Sequence, residues 1–214
     1  ERGSSEPVHV IGNSLGGAVA LQLAAAQPDL VASLTLLAPA LPTRKVRRGN
    51  AHLPVAAIPG LGERLGRRYR RIDAAARVQM TMNACLSDPA RVNPRVQELI
   101  VAEVRGRDEL PYVGDALLSS LRGLLATFTD PTASRPWALA RTLDLPVLVV
   151  YGSHDTLVDP RSAALASRAF RGSTVVVLPD CGHVAQMEWP DVVANLWQDT
   201  ILDVNRPVPE RAAP

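Results

Sequence analysis

The sequence predicts an α/β fold built on a parallel sheet, and three observations carry that prediction. Strand-like apolar runs alternate with helical stretches at both ends of the chain. A Gly-rich turn joins the first such run directly to the first helix. An Arg-rich segment without strand-like runs interrupts the alternation in the middle, as an inserted helical layer would.

Taken in order, Val8, His9, Val10 and Ile11 make a short strand-like run that stops at Gly12 and is apolar enough on both faces to read as an interior strand. A small-residue helical stretch follows over residues 15–26 and ends at Gln27-Pro28-Asp29. Residues 31–37 supply a second apolar strand closing on Ala38-Pro39, because the residue before a proline is pushed toward extended backbone. Two further buried strands are predicted at 146–151 and 174–178. Between them Asp159-Pro160 has the cap-then-proline pattern of a helix start, with the helix running to about residue 170. The last helix begins near Pro190, where Val193, Leu196, Trp197 and Ile201 recur at helical spacing. The Pro-rich tail from Pro207 is expected to be disordered.

The interrupting segment predicts helices over residues 62–71, 73–86, 94–104 and 113–128, with breaks at Asp88-Pro89, Asn93-Pro94 and Leu110-Pro111. The chain thus divides into a core part (1–41), a helical cap (42–135), a second core part (136–206) and a tail (207–214). Two Arg-rich stretches of the cap, 44–48 and 64–71, could attract anionic substrates or an acidic membrane surface; a solvated helix face is the simpler reading. Met80, Thr81, Met82 and Leu86 could line an acyl or aromatic pocket or pack against neighbouring cap helices.

Composition excludes several classes. At 47% hydrophobic and 21% charged residues the chain lies far from the disordered regime, and its net charge of +2 makes nucleic acid a poor partner. Lys45 is the only lysine among 23 basic residues, which reads as compositional bias in the genome and points to no activity. Cys85 and Cys181 are too few for a secreted disulfide scaffold and follow no metal-ligand spacing. A reducing, cytoplasmic setting without a metal is the expectation. No run approaches the ~20 apolar residues of a membrane helix, so stable membrane insertion is not expected.

The chemistry centres on Gly12-Asn13-Ser14-Leu15-Gly16, a G-x-S-x-G match followed by Gly17. Three fixed positions match by chance about once in ~3,000 windows, so context has to decide. A strand runs into the motif and a helix leaves it, the arrangement that lifts a serine hydroxyl above a sheet. Gly12 and Gly16 are expected to leave room where side chains would collide. The helix start at Leu15 directs its backbone N–H toward a developing oxyanion. A serine needs a base and a group to orient that base. Of four histidines, His183 lies just beyond the last predicted strand, at the same sheet edge as Ser14. His9 sits inside the first strand and is expected to be packed, His52 lies in the cap, and His154 abuts the candidate acid. Asp155, directly after a strand, is preferred as the acid over Asp159, whose place before Pro160 suits a helix cap, and over Asp180, too near His183 in sequence.

Residues 8–20, 147–159 and 179–190 together resemble the nucleophile, acid and histidine segments of the α/β-hydrolase fold. Gly-Asn-Ser-Leu-Gly-Gly and Gly-His-Val-Ala-Gln-Met-Glu are similar, more loosely, to the meta-cleavage-product hydrolases, which cut carbon–carbon bonds. Those enzymes commonly carry Trp after the histidine and Met after the serine, where this chain has Val184 and Leu15. Dehalogenases and epoxide hydrolases of the fold place Asp where Ser14 stands. The resemblance implies a cofactor-free serine hydrolase acting on a small or medium hydrophobic substrate, a carboxylic ester before a vinylogous diketone. An acyltransferase, a cofactor-free haloperoxidase and a non-catalytic binding protein remain open alternatives. In that fold the serine turn follows the fifth of eight strands. The chain is therefore expected to represent strands five to eight of a longer protein and, without the loop that gives the second oxyanion N–H, to be inactive alone.

Overall fold

The computed structural model describes residues 6–43, 53–132 and 135–202. Its centre is a four-stranded parallel sheet in the order β1 (Val8–Asn13), β2 (Val31–Leu37), β3 (Val147–Gly152), β4 (Thr174–Leu178). Each predicted strand is found within one or two residues. The register runs Ile11 to Thr35, Leu36 to Val149 and Val150 to Val176 across the three pairs. β3 is buried along its whole length, which explains why it reads as an unbroken apolar run instead of an alternating one.

Strand periodicity divides the core into two layers. On one face Leu34, Leu36, Val147, Val149 and Tyr151 pack with Ala18, Leu21 and Ala24 of α1 (Leu15–Ala26) and with Phe170. Their strand neighbours Leu37, Leu148 and Val150 turn the other way and meet Leu178, Cys181, Val193 and Ile201. β1 pairs only with β2 among the described residues, so Val8 and Ile11 stay more than half exposed and the strand is an edge. His9 is likewise exposed instead of packed. Its Nδ1 lies 2.8 Å from Ser33 Oγ and its ring stands edge-on to Trp197.

Between β2 and β3 the described residues are helical: α2 (Leu53–Ala56), α3 (Leu61–Tyr69), α4 (Ala74–Cys85), α5 (Pro94–Asp108) and α6 (Val113–Thr129). Asp73 caps α4 by accepting from Ala75 N at 2.8 Å, and Asn93 caps α5 by accepting from Arg95 N at 2.9 Å. Arg77 is buried in α4 and donates to both carboxylate oxygens of Asp108 in α5 and to the Ile72 carbonyl. Arg122 of α6 reaches the Ala57 carbonyl and Glu63, so α6 is tied to the chain around α2 and α3. Met82 and Leu86 are buried with Val78 and Val92, whereas Met80 is exposed, so only part of the Met-Thr-Met run faces inward. The two ends of this layer meet where Trp137 Nε1 donates to the Pro42 carbonyl at 2.7 Å. Trp137 belongs to α7 (Pro136–Ala140), a short helix absent from the sequence reading although Pro136 at its first position was its signal. His52, the 44–48 arginine stretch and the tail from Pro207 lie outside the described residues.

The predicted helix after Asp159 proves composite. A 3₁₀ turn over Pro160–Ser162 leads into α8 (Ala163–Ala169). At the far end a short helix, α9 (Ala185–Glu188), precedes α10 (Pro190–Trp197), and a π turn over Gln198–Leu202 buries Ile201.

Candidate functional site

Ser14 sits where β1 becomes α1, with φ 53° and ψ −118°, a backbone state that an L residue enters only under constraint. The constraint is visible. Ser14 N donates to the Leu37 carbonyl at 2.9 Å, and the Ser14 carbonyl accepts from Gly17 N, Ala18 N and Ala40 N. A Cβ on Gly12 would lie 2.4 Å from the Gly16 carbonyl oxygen, and one on Gly17 would lie 2.9 Å from Pro39 Cβ. Those two glycines permit the turn. Gly16 does not belong with them, because a Cβ there would meet nothing within 4 Å. Its motif position suggested crowding; the crowded position is one residue later. Leu15 opens α1, so its N–H lies in the first turn, whose donors have no intrahelical acceptor.

The structure brings His183 and Asp155 together. His183 Nδ1 is 2.8 Å from Asp155 Oδ2, and both side chains are almost fully buried. The other carboxylate oxygen, Oδ1, accepts from Leu157 N at 2.7 Å and Val158 N at 2.9 Å, which fixes the acid against rotation. A nitrogen donating to a carboxylate selects the tautomer that leaves Nε2 as the free base. The nucleophile turn is joined to this pair by Asn13, whose Nδ2 donates to the His183 carbonyl at 3.2 Å and to the Leu37 carbonyl at 2.9 Å. The rival acids are engaged elsewhere. Asp159 caps Arg161 N at 3.1 Å and pairs with the Arg161 guanidinium. Asp180 is exposed, its carboxylate 3.7 Å from His154 Nε2.

One residue of the site had no role in the sequence reading beyond its place in the Gly-His-Val-Ala-Gln-Met-Glu match. Glu188, at the end of α9, has a fully buried carboxylate that accepts from Gly182 N at 2.6 Å, Ser87 N at 2.9 Å and Asp88 N at 3.0 Å. Arg91 supplies a counter-charge at 3.7 Å while stacking over Trp189 and donating to the Asp180 carbonyl. This carboxylate joins the histidine loop to the chain that leaves α4. The same junction holds His183 N on the Cys85 carbonyl at 2.6 Å and Thr156 Oγ1 on the Ala84 carbonyl at 2.9 Å. The approach is too close for side chains: a Cβ on Gly182 would sit 2.4 Å from the Cys85 oxygen, and one on Gly152 2.0 Å from the Gly182 oxygen. Burial raises the Cys85 thiol above its ordinary range, and the charge on Asp155 adds to that.

A cavity of about 790 Å³ opens in the helical layer beside this junction. Val78, Met82, Ile100 and Val104 make it apolar, and Val184 and Met187 bring the histidine loop to its wall. Among the described residues no cluster of three or more His, Cys, Asp or Glu is placed to hold a metal ion. No described helix is long and apolar enough to cross a membrane.

A family model for the alpha/beta hydrolase fold matches residues 1–190. The chain belongs to that family. It is 31% identical over 188 residues to the dihydrolipoyllysine-residue acetyltransferase component of the acetoin cleaving system of Pseudomonas putida, a match covering 84% of this chain and 41% of that protein. It is 27% identical over 198 residues to the pimeloyl-[acyl-carrier protein] methyl ester esterase of Neisseria meningitidis, covering 92% of this chain and 58% of the relative. Against the solved structure of 2-hydroxy-6-oxo-6-phenylhexa-2,4-dienoate hydrolase from Rhodococcus sp. strain RHA1 it aligns with a TM-score of 0.68 at 22% identity, over 92% of this chain and 64% of that one. The chain therefore spans roughly half the length of these curated relatives, 41% and 58%.

Proposed function

We propose that the protein is a serine hydrolase of hydrophobic carboxylic esters, with Ser14 as nucleophile, His183 as general base and Asp155 as the acid that orients it. The observation carrying the proposal is the buried hydrogen bond from His183 Nδ1 to Asp155 Oδ2 on a loop that Asn13 ties to the strained serine turn. Ser14 Oγ attacks the ester carbonyl as its proton passes to His183 Nε2. The tetrahedral oxyanion meets the Leu15 N–H, the alcohol leaves with the proton held on His183, and water activated by the same nitrogen then releases the acid. Asp155 holds the imidazole in place and stabilises its positive form. The apolar cavity beside Val184 and Met187 supplies room for the hydrophobic part of the substrate. A second N–H would complete an oxyanion hole, and one such donor is typically worth about 10²- to 10³-fold in kcat.

The test is to treat the full-length protein with a fluorophosphonate probe and a panel of chromogenic esters of graded chain length beside one ring-fission dienone. Labelling at Ser14 that disappears in Ser14→Ala and His183→Ala, with turnover of the esters, is the expected result. Labelling without turnover of any ester, or faster cleavage of the dienone, would replace the ester reading.

A further inference from the structure

We propose that the first two helices of the layer over the sheet form a docking surface for an anionic lipid bilayer. α2, α3 and the turn between them carry Val55, Ile58, Leu61 and Leu65 at exposures of 47%, 50%, 37% and 44%. Single exposed aliphatic residues are ordinary on protein surfaces. Leu61 and Leu65 instead stand one turn apart on α3, directly after the equally exposed Val55 and Ile58. On α3 the aliphatic residues are interleaved with cations: Leu61, Arg64, Leu65 and Arg68 follow the i, i+3, i+4, i+7 spacing of one helix face. All four are exposed.

The charge is unbalanced. Arg64, Arg67, Arg68, Arg70 and Arg71 make no ion pair among the described residues, and the one acidic residue of α3, Glu63, is taken by Arg122. A solvated helix face would normally mix both signs, and a site for nucleic acid or an acidic protein would have no use for the leucines between the arginines. Guanidinium groups beside aliphatic side chains match the boundary of an anionic bilayer, where phosphates meet the arginines and the aliphatic tips leave water. Glu63, Gly66 and Arg67, at the same spacing on the other side of α3, line the 790 Å³ cavity, so the docking face is separate from it.

The experiment is co-sedimentation of the full-length protein with vesicles of phosphatidylcholine alone and of phosphatidylcholine containing roughly a third phosphatidylserine. Binding is expected to the anionic vesicles only, and to weaken as salt rises. Each arginine at such a surface contributes about fivefold, the equivalent of ~1 kcal/mol, so Arg64→Gln with Arg68→Gln should weaken binding about 30-fold. Leu61→Ser with Leu65→Ser should weaken it too, at constant charge. Ser14→Ala should bind as the parent does, which keeps this test separate from the catalytic reading. Absence of binding by the parent protein overturns the proposal even if a variant fails to fold. Equal binding to neutral vesicles overturns it as well. So does loss on removing the arginines with none on removing the leucines, an outcome that would point to an acidic protein or nucleic acid.

Discussion

Replacing Glu188 probes the junction between the histidine loop and the helical layer. Its carboxylate is fully buried and satisfies three backbone donors, Gly182, Ser87 and Asp88, at 2.6, 2.9 and 3.0 Å. Hydrogen bonds to a charged group are worth about 1.5–3 kcal/mol each, so three independent losses would sum to roughly 5–9 kcal/mol. That sum is an upper bound, because water can enter the space vacated by a truncated side chain and meet some of the donors. Arg91, the ionic partner at 3.7 Å, is partly exposed and regains hydration when the carboxylate is lost. Glu188→Ala is therefore expected to cost about 3–5 kcal/mol, the range for leaving buried polar groups without their partner. Glu188→Gln keeps the volume, yet its amide offers one acceptor where the site uses two oxygens. It must turn an NH₂ toward either Gly182 N or the Ser87 and Asp88 pair. About 2 kcal/mol is expected, the cost of burying an unsatisfied donor. Urea denaturation measures both: the midpoint should fall in the order parent, Gln, Ala with an unchanged slope. A loss below about 1 kcal/mol in Glu188→Ala would refute the view that this carboxylate holds the junction.

Asp155→Asn should lower ester turnover by several orders of magnitude, while Asp159→Asn should cost only a fraction of the ~1 kcal/mol of a helix cap; steady-state kinetics on both decides whether the acid is correctly assigned. Gly12→Ala should destabilise by more than about 2 kcal/mol because its Cβ would meet backbone at 2.4 Å, whereas Gly16→Ala should be neutral or gain up to about 1 kcal/mol of helix propensity; thermal melts distinguish them, and equal losses would contradict the geometry. Burial, with the charges of Glu188 and Asp155, pushes the Cys181 thiol from 9.0 to about 12. The folded state thus keeps a proton that the unfolded thiol releases, and stability should fall as pH rises from 9.0 toward 12. Urea midpoints of the parent should decline more steeply across that window than those of Cys181→Ala, and parallel curves would refute it.

What was legible in the sequence is what local rules determine. The four strands, α1 and the serine turn follow from apolar period, β-branching and the glycine and proline punctuation around them, all within a few residues of one another. Asp155 and His183, 28 residues apart, were reached through chain order and through the strands that precede each. The role of Glu188 was not legible. It looks like any acidic residue of a short helical turn, and its role depends on Ser87 and Asp88, about 100 residues away across the fold. Gly182 and Gly152 escaped for the same reason, since each is required by backbone arriving from another loop. Gly16 failed in the opposite direction: a motif position implied crowding that three-dimensional packing assigns to Gly17. α9 was missed because four residues are too few to display a helical period.

Among the described residues, the non-glycine positions with positive φ are Ser14, Ala38 and Asp180. Ser14 and Ala38 each stand immediately after a strand, and Asp180 stands two residues after one. All three therefore lie at the carboxyl edge of the sheet, around the candidate site. Such conformations cost of order 1–3 kcal/mol each, and chance would scatter them over turns on every side. Each is held by bonds from a neighbouring segment: Ser14 by Leu37 and Ala40, Ala38 by the Val150 carbonyl, and Asp180 by Arg91 and Trp189 on its own carbonyl. The strain is thus carried by loops whose strands are rigid, since β3 is completely buried and β2 almost so. A rigid sheet with strained turns on one edge can hold a serine, a histidine and an aspartate from three separate loops at fixed positions. That accounts for the concentration of special backbone geometry at the edge where the hydrolase chemistry is proposed to occur.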